Sequence, residues 1–319
     1  MLRYKEYRLI KPDESISKQI SHLIKTKNGS IFHEVELNRI IEKKFNTELF
    51  YLVDDPENIK HAAVIHITRK RFGIKQYSIR PLYDIPYAGF IGDAIIDLNE
   101  FSVNCFESFC YAGFPYIKKH DDLDNTYFGE TAMVDLTLNE DEIFNNVIAS
   151  KRRNMVRKAI KSGITINAYF DSEGLNIFWP MLSELHKKLG YVNLTFDYYY
   201  ELFRKLSSKR QAYVLIAFKN EIPISGSFIM GNKNYMHYYK GASVGNIKNE
   251  GQGELLQWEA IKISKNLGAQ KYDLCNLNKG KLPEIYRFKT GISKDIYQYQ
   301  YFSYSSLCYK LIDRILKYT

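Results

Sequence analysis

Apolar residues at Ile31, Val35, Leu37, Ile40, Ile41 and Phe45 recur at close to helical spacing and predict a helix over residues 31–45. Two β-rich runs follow, Glu48–Val53 and His61–Thr68, and the turn-forming DDPEN between them predicts a hairpin. Residues 77–93, YSIRPLYDIPYAGFIGD, place prolines and glycines among aromatics and read as a strand breaking into an ordered loop. A boundary signal falls at Asp135–Asn139, where the strand-like MVDLTL ends. Asn139 is a good N-cap, Glu140, Asp141 and Glu142 fill an acidic first turn, and one helix is predicted from there to Lys161, stopped by Gly163.

The second half repeats the grammar of the first. Helices at Ile177–Leu189 and Phe196–Leu206 precede strands at Ala212–Phe218, Ile222–Met230 and Asn234–Gly241. A glycine-containing turn, a helix from Gly253 to Leu267 closed by Gly268, and a strand at Lys271–Cys275 follow. The order suggests a long-period duplication of an α+β unit.

Length and composition narrow this picture. A chain of 319 residues, 45% apolar, predicts two domains with real cores and excludes a disordered chain or a disulfide scaffold. The four cysteines form no CxxC pair and have no clustered histidines, so no metal site is expected and the thiols read as reduced. Residues 1–15 have no apolar core of a signal peptide, and the longest apolar run is the seven residues Ala212–Phe218. A cytoplasmic protein is expected. The net charge of +9 is uneven, with 18 basic and 23 acidic residues in 1–150 against 27 and 13 in 151–319. The basic second half favours an anionic partner: a phosphorylated metabolite, a nucleic acid or a membrane surface.

Four places could carry chemistry. Lys248-Asn249-Glu250-Gly251-Gln252-Gly253 lies at a strand-to-helix junction, where glycine backbone and a helix start can cradle a pyrophosphate or simply form a flexible loop. Its form, a polar residue followed by xxGxG, resembles the acyl-CoA loop of the GNAT acyltransferases and marks Lys248, Gly251 and Gly253 as donor-binding. Arg153, Arg157 and Lys161 line up at i, i+4, i+8 within KRRNMVRK and form a stripe able to hold phosphates or carboxylates, unless they only offset a helix C-terminus. In Tyr286–Gly291, a Lys near a strand end beside aromatics could stabilise an oxyanion; most such pairs are a core aromatic beside a surface cation. His237, mid-strand, is a candidate general base or a satisfied strand histidine, and Asp273 could accept a proton, orient a substrate or cap a loop. His33 and His186, on amphipathic helices, read as surface or boundary residues.

The strings SKRRNMVRKAIKSG, YMHYYKGAS, LLQWEAIKISKNLGA, KYDL and FKTG, in that order, resemble the Fem-type enzymes. These are the peptidoglycan interpeptide-bridge aminoacyltransferases, with sister families of double-GNAT acyltransferases. SIFHEVELNRIIEKKF and SIRPLYDIPYAGF look like the first module of that group. The resemblance implies an α+β protein of two tandem GNAT-like modules, with mixed, largely antiparallel sheets flanked by helices and an interdomain cleft. The modules fall at 1–137 and 138–296, with the tail 297–319 packing on the first. By matching positions it implies Lys289 and Phe288 as the acyl-transfer pair and the Arg157 region as close to an anionic acceptor. The helical-hairpin arm that some members use for aminoacyl-tRNA has no counterpart here.

These readings lead to an N-acyltransferase acting on a primary amine of an anionic cell-envelope precursor such as a nucleotide sugar or peptidoglycan precursor. No tightly bound cofactor is expected; acyl-CoA is the favoured co-substrate and aminoacyl-tRNA the alternative. A stable DNA partner is not expected, and proximity to a membrane surface is compatible with the charge. A non-catalytic RNA- or anionic-glycan-binding protein on the same scaffold is the rival class.

Overall fold

The computed structural model describes residues 2–79, 84–92, 96–118, 128–191, 194–245 and 247–318. It divides into two compact units, Met1–Glu130 with Tyr297–Thr319 (unit 1) and Thr131–Ile296 (unit 2).

Unit 1 begins with the short strands β1 (Arg3–Tyr4) and β2 (Arg8–Ile10), then helices α1 (Glu14–Thr26) and α2 (Val35–Phe45). Helix α1 follows from its own sequence: Asp13 caps it by accepting from Ile16 N at 2.8 Å, and Ile16, Ile20, Leu23 and Ile24 form its buried face. The helix predicted over 31–45 is two. A 3₁₀ turn at Ile31–His33 ends at Glu34, whose ψ of 133° is extended, before α2 begins. His33 is buried instead of lying at the surface; its Nδ1 accepts from Ser30 N at 3.0 Å, and Nε2 donates to Ala88 O at 2.6 Å. His186 is likewise buried.

The predicted hairpin is present as β3 (Glu48–Val53) and β4 (Ala62–Arg69), antiparallel. It continues to β5 (Lys75–Ser78), β6 (Phe101–Ser102), β7 (Glu107–Ala112) and β8 (Ile117–Lys118). Of the segment read as a strand breaking into a loop, residues 80–83 and 93 lie outside the described residues. Strand β5 pairs with β7 in parallel, the one parallel pair among the described strands of this unit.

Unit 2 contains β9 (Phe128–Asp135) from Thr131 onward, α3 (Glu140–Glu142), α4 (Ser150–Lys161), β10 (Ile164–Tyr169), α5 (Ser172–Leu189), α6 (Phe196–Ser207), β11 (Ala212–Lys219), β12 (Ile222–Gly231), β13 (Tyr235–Ser243), α7 (Gln252–Asn266), β14 (Lys271–Asp273) and α8 (Pro283–Ile292). The chain then completes unit 1 with β15 (Ile296–Ser305), paired antiparallel to β7, and α9 (Leu307–Tyr318). The strand order in unit 2 is β10-β11-β12-β13-β14-β9. Only the β13–β14 pair is parallel among its described strands, as the intervening helix α7 requires.

The continuous helix predicted from Asn139 to Lys161 is corrected. Asn139 does cap α3, in a reciprocal box with Glu142, but a π-turn at Ile143–Val147 follows and Ile148 and Ala149 are extended. Helix α4 starts anew at Ser150. The break is fixed from outside the segment, because Ala149 N donates to Gly291 O at 2.9 Å. Gly163 and Gly268 end α4 and α7 with φ of 74° and 82°, values that suit glycine. Among the described residues, no helix is long and apolar enough to cross a membrane.

Candidate functional site

The centre of unit 2 is the parallel pair β13–β14, whose register sets His237 beside Asp273. Both side chains are fully buried. The Asp273 carboxylate accepts from Thr131 Oγ1 at 2.6 Å and Cys275 N at 2.9 Å through Oδ1, and from His237 Nδ1 at 2.7 Å through Oδ2. The Cys275 thiol lies 3.6 Å from the same Oδ2 and 4.0 Å from His237 Nδ1. A buried carboxylate needs such partners to offset lost hydration, and β9, β13 and the turn after β14 supply them here. Donor atoms of His237, Asp273 and Cys275 lie within 4.8 Å of one another, a spacing that a metal could use. In this structure the carboxylate is already filled by hydrogen bonds.

Past β14 the backbone turns through two left-handed residues, Cys275 at φ 54° and Asn276 at φ 32°. Neither is glycine, so the turn is strained and is held by its surroundings. Its two successive carbonyls both accept from Lys289 Nζ, Asn276 O at 3.2 Å and Cys275 O closer still. Lys289 is only 8% exposed. Burial pulls its ammonium below the usual lysine range, and the neighbouring Cys275 and Asp273 oppose that fall. Nζ lies 5.7 Å from the Tyr238 ring, whose hydroxyl is pushed up to about 12 by its own burial.

The sequence reading put Phe288 and Lys289 by a strand end; both lie on helix α8 instead. Pro283 starts that helix where a missing N–H costs nothing. Lys289 reaches the end of β14 through its side chain. Phe288 faces another way: a Cβ added at Gly253 would lie 3.6 Å from its ring, and the Arg152 guanidinium is 5.4 Å from the ring centre.

The Lys248–Gly253 loop enters α7 through Gly251, which caps the helix at φ 95°. The sequence offers its glycines as a phosphate cradle. The structure gives Gly251 a packing reason as well: a Cβ there would overlap the Met155 carbonyl of α4. Two of the loop's N–H groups are held internally, Glu250 N by Gln252 Oε1 at 2.9 Å and Gly251 N by Asn249 Oδ1 at 3.0 Å. Lys248 is exposed.

With the helix break at 148–149, Lys151, Arg152 and Arg153 move from a helix C-terminus to the first turn of α4. The helix dipole disfavours cations there, so offsetting the dipole cannot explain these three. Two have specific partners. Arg153 donates to the carbonyls of Asn145 and Ile148, the latter at 2.8 Å, and so satisfies the broken segment. Arg152 pairs with the buried Glu254 at 2.7 Å and donates to Arg287 O at 3.0 Å, joining α4 to the start of α7 and to α8. Of the predicted stripe, Arg157 and Lys161 are exposed, whereas Arg153 is half-buried and spent on backbone.

The structure therefore brings His237, Asp273 and Lys289 together with Thr131 and Cys275, which no sequence motif marked. It brings Phe288 and Gly253 together with Arg152, which the sequence marks only as one member of the run KRRNMVRK; Gly291 leaves room for it, since a Cβ there would collide with the Arg152 side chain.

Comparison with known proteins gives a consistent result. Residues 150–290 match the acetyltransferase (GNAT) domain family. The chain is similar in structure to FemX, with a TM-score of 0.66 and 14% identity over 96% of this chain and 99% of that one. It is similar to the C-terminal domain of a putative lysylphosphatidylglycerol synthetase from Agrobacterium fabrum, with a TM-score of 0.53 and 11% identity over 93% and 94%. A tandem GNAT protein from the clavulanic acid biosynthesis pathway matches at a TM-score of 0.50 and 11% identity over 93% and 98%. No curated protein sequence matches the chain. At these identities the structural likeness is one of fold.

Proposed function

For a chain whose residues 150–290 match the acetyltransferase (GNAT) domain family and whose fold is similar to that of FemX, we propose N-acyl transfer centred on the end of β14 in unit 2. A primary amine attacks the carbonyl of an activated ester or thioester. The new N–C bond forms, the C–O or C–S bond breaks, and the proton that the amine gives up through solvent is taken up by the departing hydroxyl or thiol.

The observation that carries this reading is Lys289. An ammonium has three N–H donors, and two are fixed on the Cys275 and Asn276 carbonyls. The third remains for the oxygen of the tetrahedral intermediate, where a desolvated, prepositioned donor acts most strongly. Asp273 and His237, both buried, act as positioning residues: the carboxylate grips Cys275 N and so holds the turn on which Lys289 rests. Phe288, on the other side of α8, packs beside Arg152 and the start of α7 at Gly253 and acts as a positioning residue for the helix that presents Lys289. Exposed Arg157 and Lys161 meet the negative charge of an acceptor such as a nucleotide sugar or peptidoglycan precursor.

Two donors fit. A CoA thioester, the first, would set its pyrophosphate on Lys248, Gly251 and Gly253 and must displace the Asn249 and Gln252 side chains from the loop N–H groups. Those occupied groups favour a second reading, an aminoacyl ester on tRNA, which needs no pyrophosphate there. Melting the protein with acetyl-CoA, CoA and charged tRNA separates them, because only the true donor raises the transition. Lys289→Ala should lower single-turnover transfer from that donor by at least about tenfold. Unchanged transfer would refute its role, and no transfer from either donor class would refute the reading as a whole.

A further inference from the structure

The last helix of the chain, α9, has a second apolar face. Tyr309 is buried against unit 1, while Leu307, Leu311 and Ile315, spaced i, i+4, i+8, are exposed to 78%, 65% and 58%. An amphipathic helix normally turns its apolar side inward, whereas α9 exposes aliphatic side chains on three consecutive turns.

Charge on and around this helix indicates which partner. Lys310 and Arg314 are exposed one residue before Leu311 and Ile315, and by helical spacing they flank the apolar stripe on one side. The acidic Asp313 is withdrawn from solvent by an ion pair with Lys70 at 2.6 Å, and Lys70 also lies over the Tyr309 ring at 5.5 Å. The outward face thus presents aliphatic side chains and exposed cations that have no ion-pair partner among the described residues. Beyond Lys70 the chain enters a turn in which Phe72, at φ 58°, holds its ring 73% exposed. At the start of the helix Ser306 Oγ bonds Cys105 O, next to Phe106, itself 48% exposed. Two exposed aromatics therefore stand within two residues of groups that contact α9 or the residue before it.

We propose that this face of unit 1 docks on an anionic lipid surface, with Leu307, Leu311 and Ile315 entering the acyl boundary and Lys310 and Arg314 at the headgroups. Both forces that hold an interfacial helix are provided, apolar burial and attraction to anionic headgroups. A second copy of the chain would bring the same cations face to face, which disfavours self-association through this stripe.

The test is co-sedimentation of the full chain with vesicles of phosphatidylcholine alone and of phosphatidylcholine with phosphatidylglycerol. Binding is expected to the second and not the first, and to fall as salt is raised. Lys310→Gln with Arg314→Gln should weaken it about 25-fold, near fivefold for each cation. Leu307→Gln with Leu311→Gln should weaken it at least about tenfold while leaving the melting transition in place, because both side chains are already in water. Absence of binding to the anionic vesicles, or binding that the leucine pair leaves unchanged, would overturn the proposal. So would a leucine-sensitive dimer in analytical ultracentrifugation.

Discussion

Replacing Gly251 by alanine separates the structural from the chemical use of the donor loop. At φ 95° an alanine is left-handed, at about 1–2 kcal/mol. Its Cβ would overlap the Met155 carbonyl oxygen and lie 2.7 Å from the carbonyl carbon, so α4 and the loop must part by several tenths of an ångström. Overpacking of that kind costs about 1–3 kcal/mol more. The separation also strains the Arg152–Glu254 pair and the Lys158 bond to Asn249 O. A loss of about 3 kcal/mol corresponds to roughly 6–12 °C for a unit of this size. Gly253→Ala is the matched control, because its Cβ meets the Phe288 ring at an ordinary 3.6 Å and alanine favours a helix. That variant should melt with the wild type or slightly above it. If donor phosphates approach its backbone, it should raise the donor KM. Scanning fluorimetry and urea titration of the two variants decide the matter. Equal melting of Gly251→Ala and wild type would refute the packing argument, and a comparable loss in Gly253→Ala would refute the distinction.

Two further outcomes are expected. His66 is buried between Thr47 and Asn38, and burial lowers its pKa to about 3 from an unfolded value of 6.5. The unfolded chain therefore takes up the proton first, so stability is complete above pH 6.5 and declines toward pH 3 by up to about 1.4 kcal/mol per pH unit. Urea unfolding of His66→Gln should show a slope shallower by that amount between those limits, and an unchanged slope would exclude His66 as the source. Arg152→Ala strands a buried carboxylate and should cost about 3–5 kcal/mol, whereas the exposed Arg157→Ala should leave the melting transition unmoved and raise the acceptor KM. A transition lowered by Arg157→Ala with the acceptor KM unchanged would show that Arg157 serves stability and not acceptor binding.

Local signals were legible wherever a pattern matched its own element. The β3–β4 hairpin, the run β11 to β13 and the Asn139 cap follow from alternation, turn residues and capping chemistry. Helix α1 and strand β10 went unread, although Asp13 with its apolar face and the alternation in ITINAY were signals for them. The break at Ile148–Ala149 left no such mark, because no glycine or proline stands there and the apolar spacing runs through it. Its cause lies more than 130 positions away, in the Gly291 carbonyl. The same limit applies to the site. His237, Asp273 and Lys289 were each visible as chemistry-bearing residues, but the parallel register of β13 and β14 and the left-handed turn at Cys275–Asn276 make them one cluster, and Thr131 joins only by folding.

The first turn of α4 has a consequence for the order in which unit 2 comes together. Its cations oppose the dipole of their own helix, and the groups that settle Arg152 lie 102 and 135 positions further along, at Glu254 and Arg287. On a growing chain α4 therefore emerges with its start electrostatically frustrated. At about 5–20 residues per second it waits several seconds or more for those partners. Until then this segment is a strongly basic stretch without the contacts that fix it.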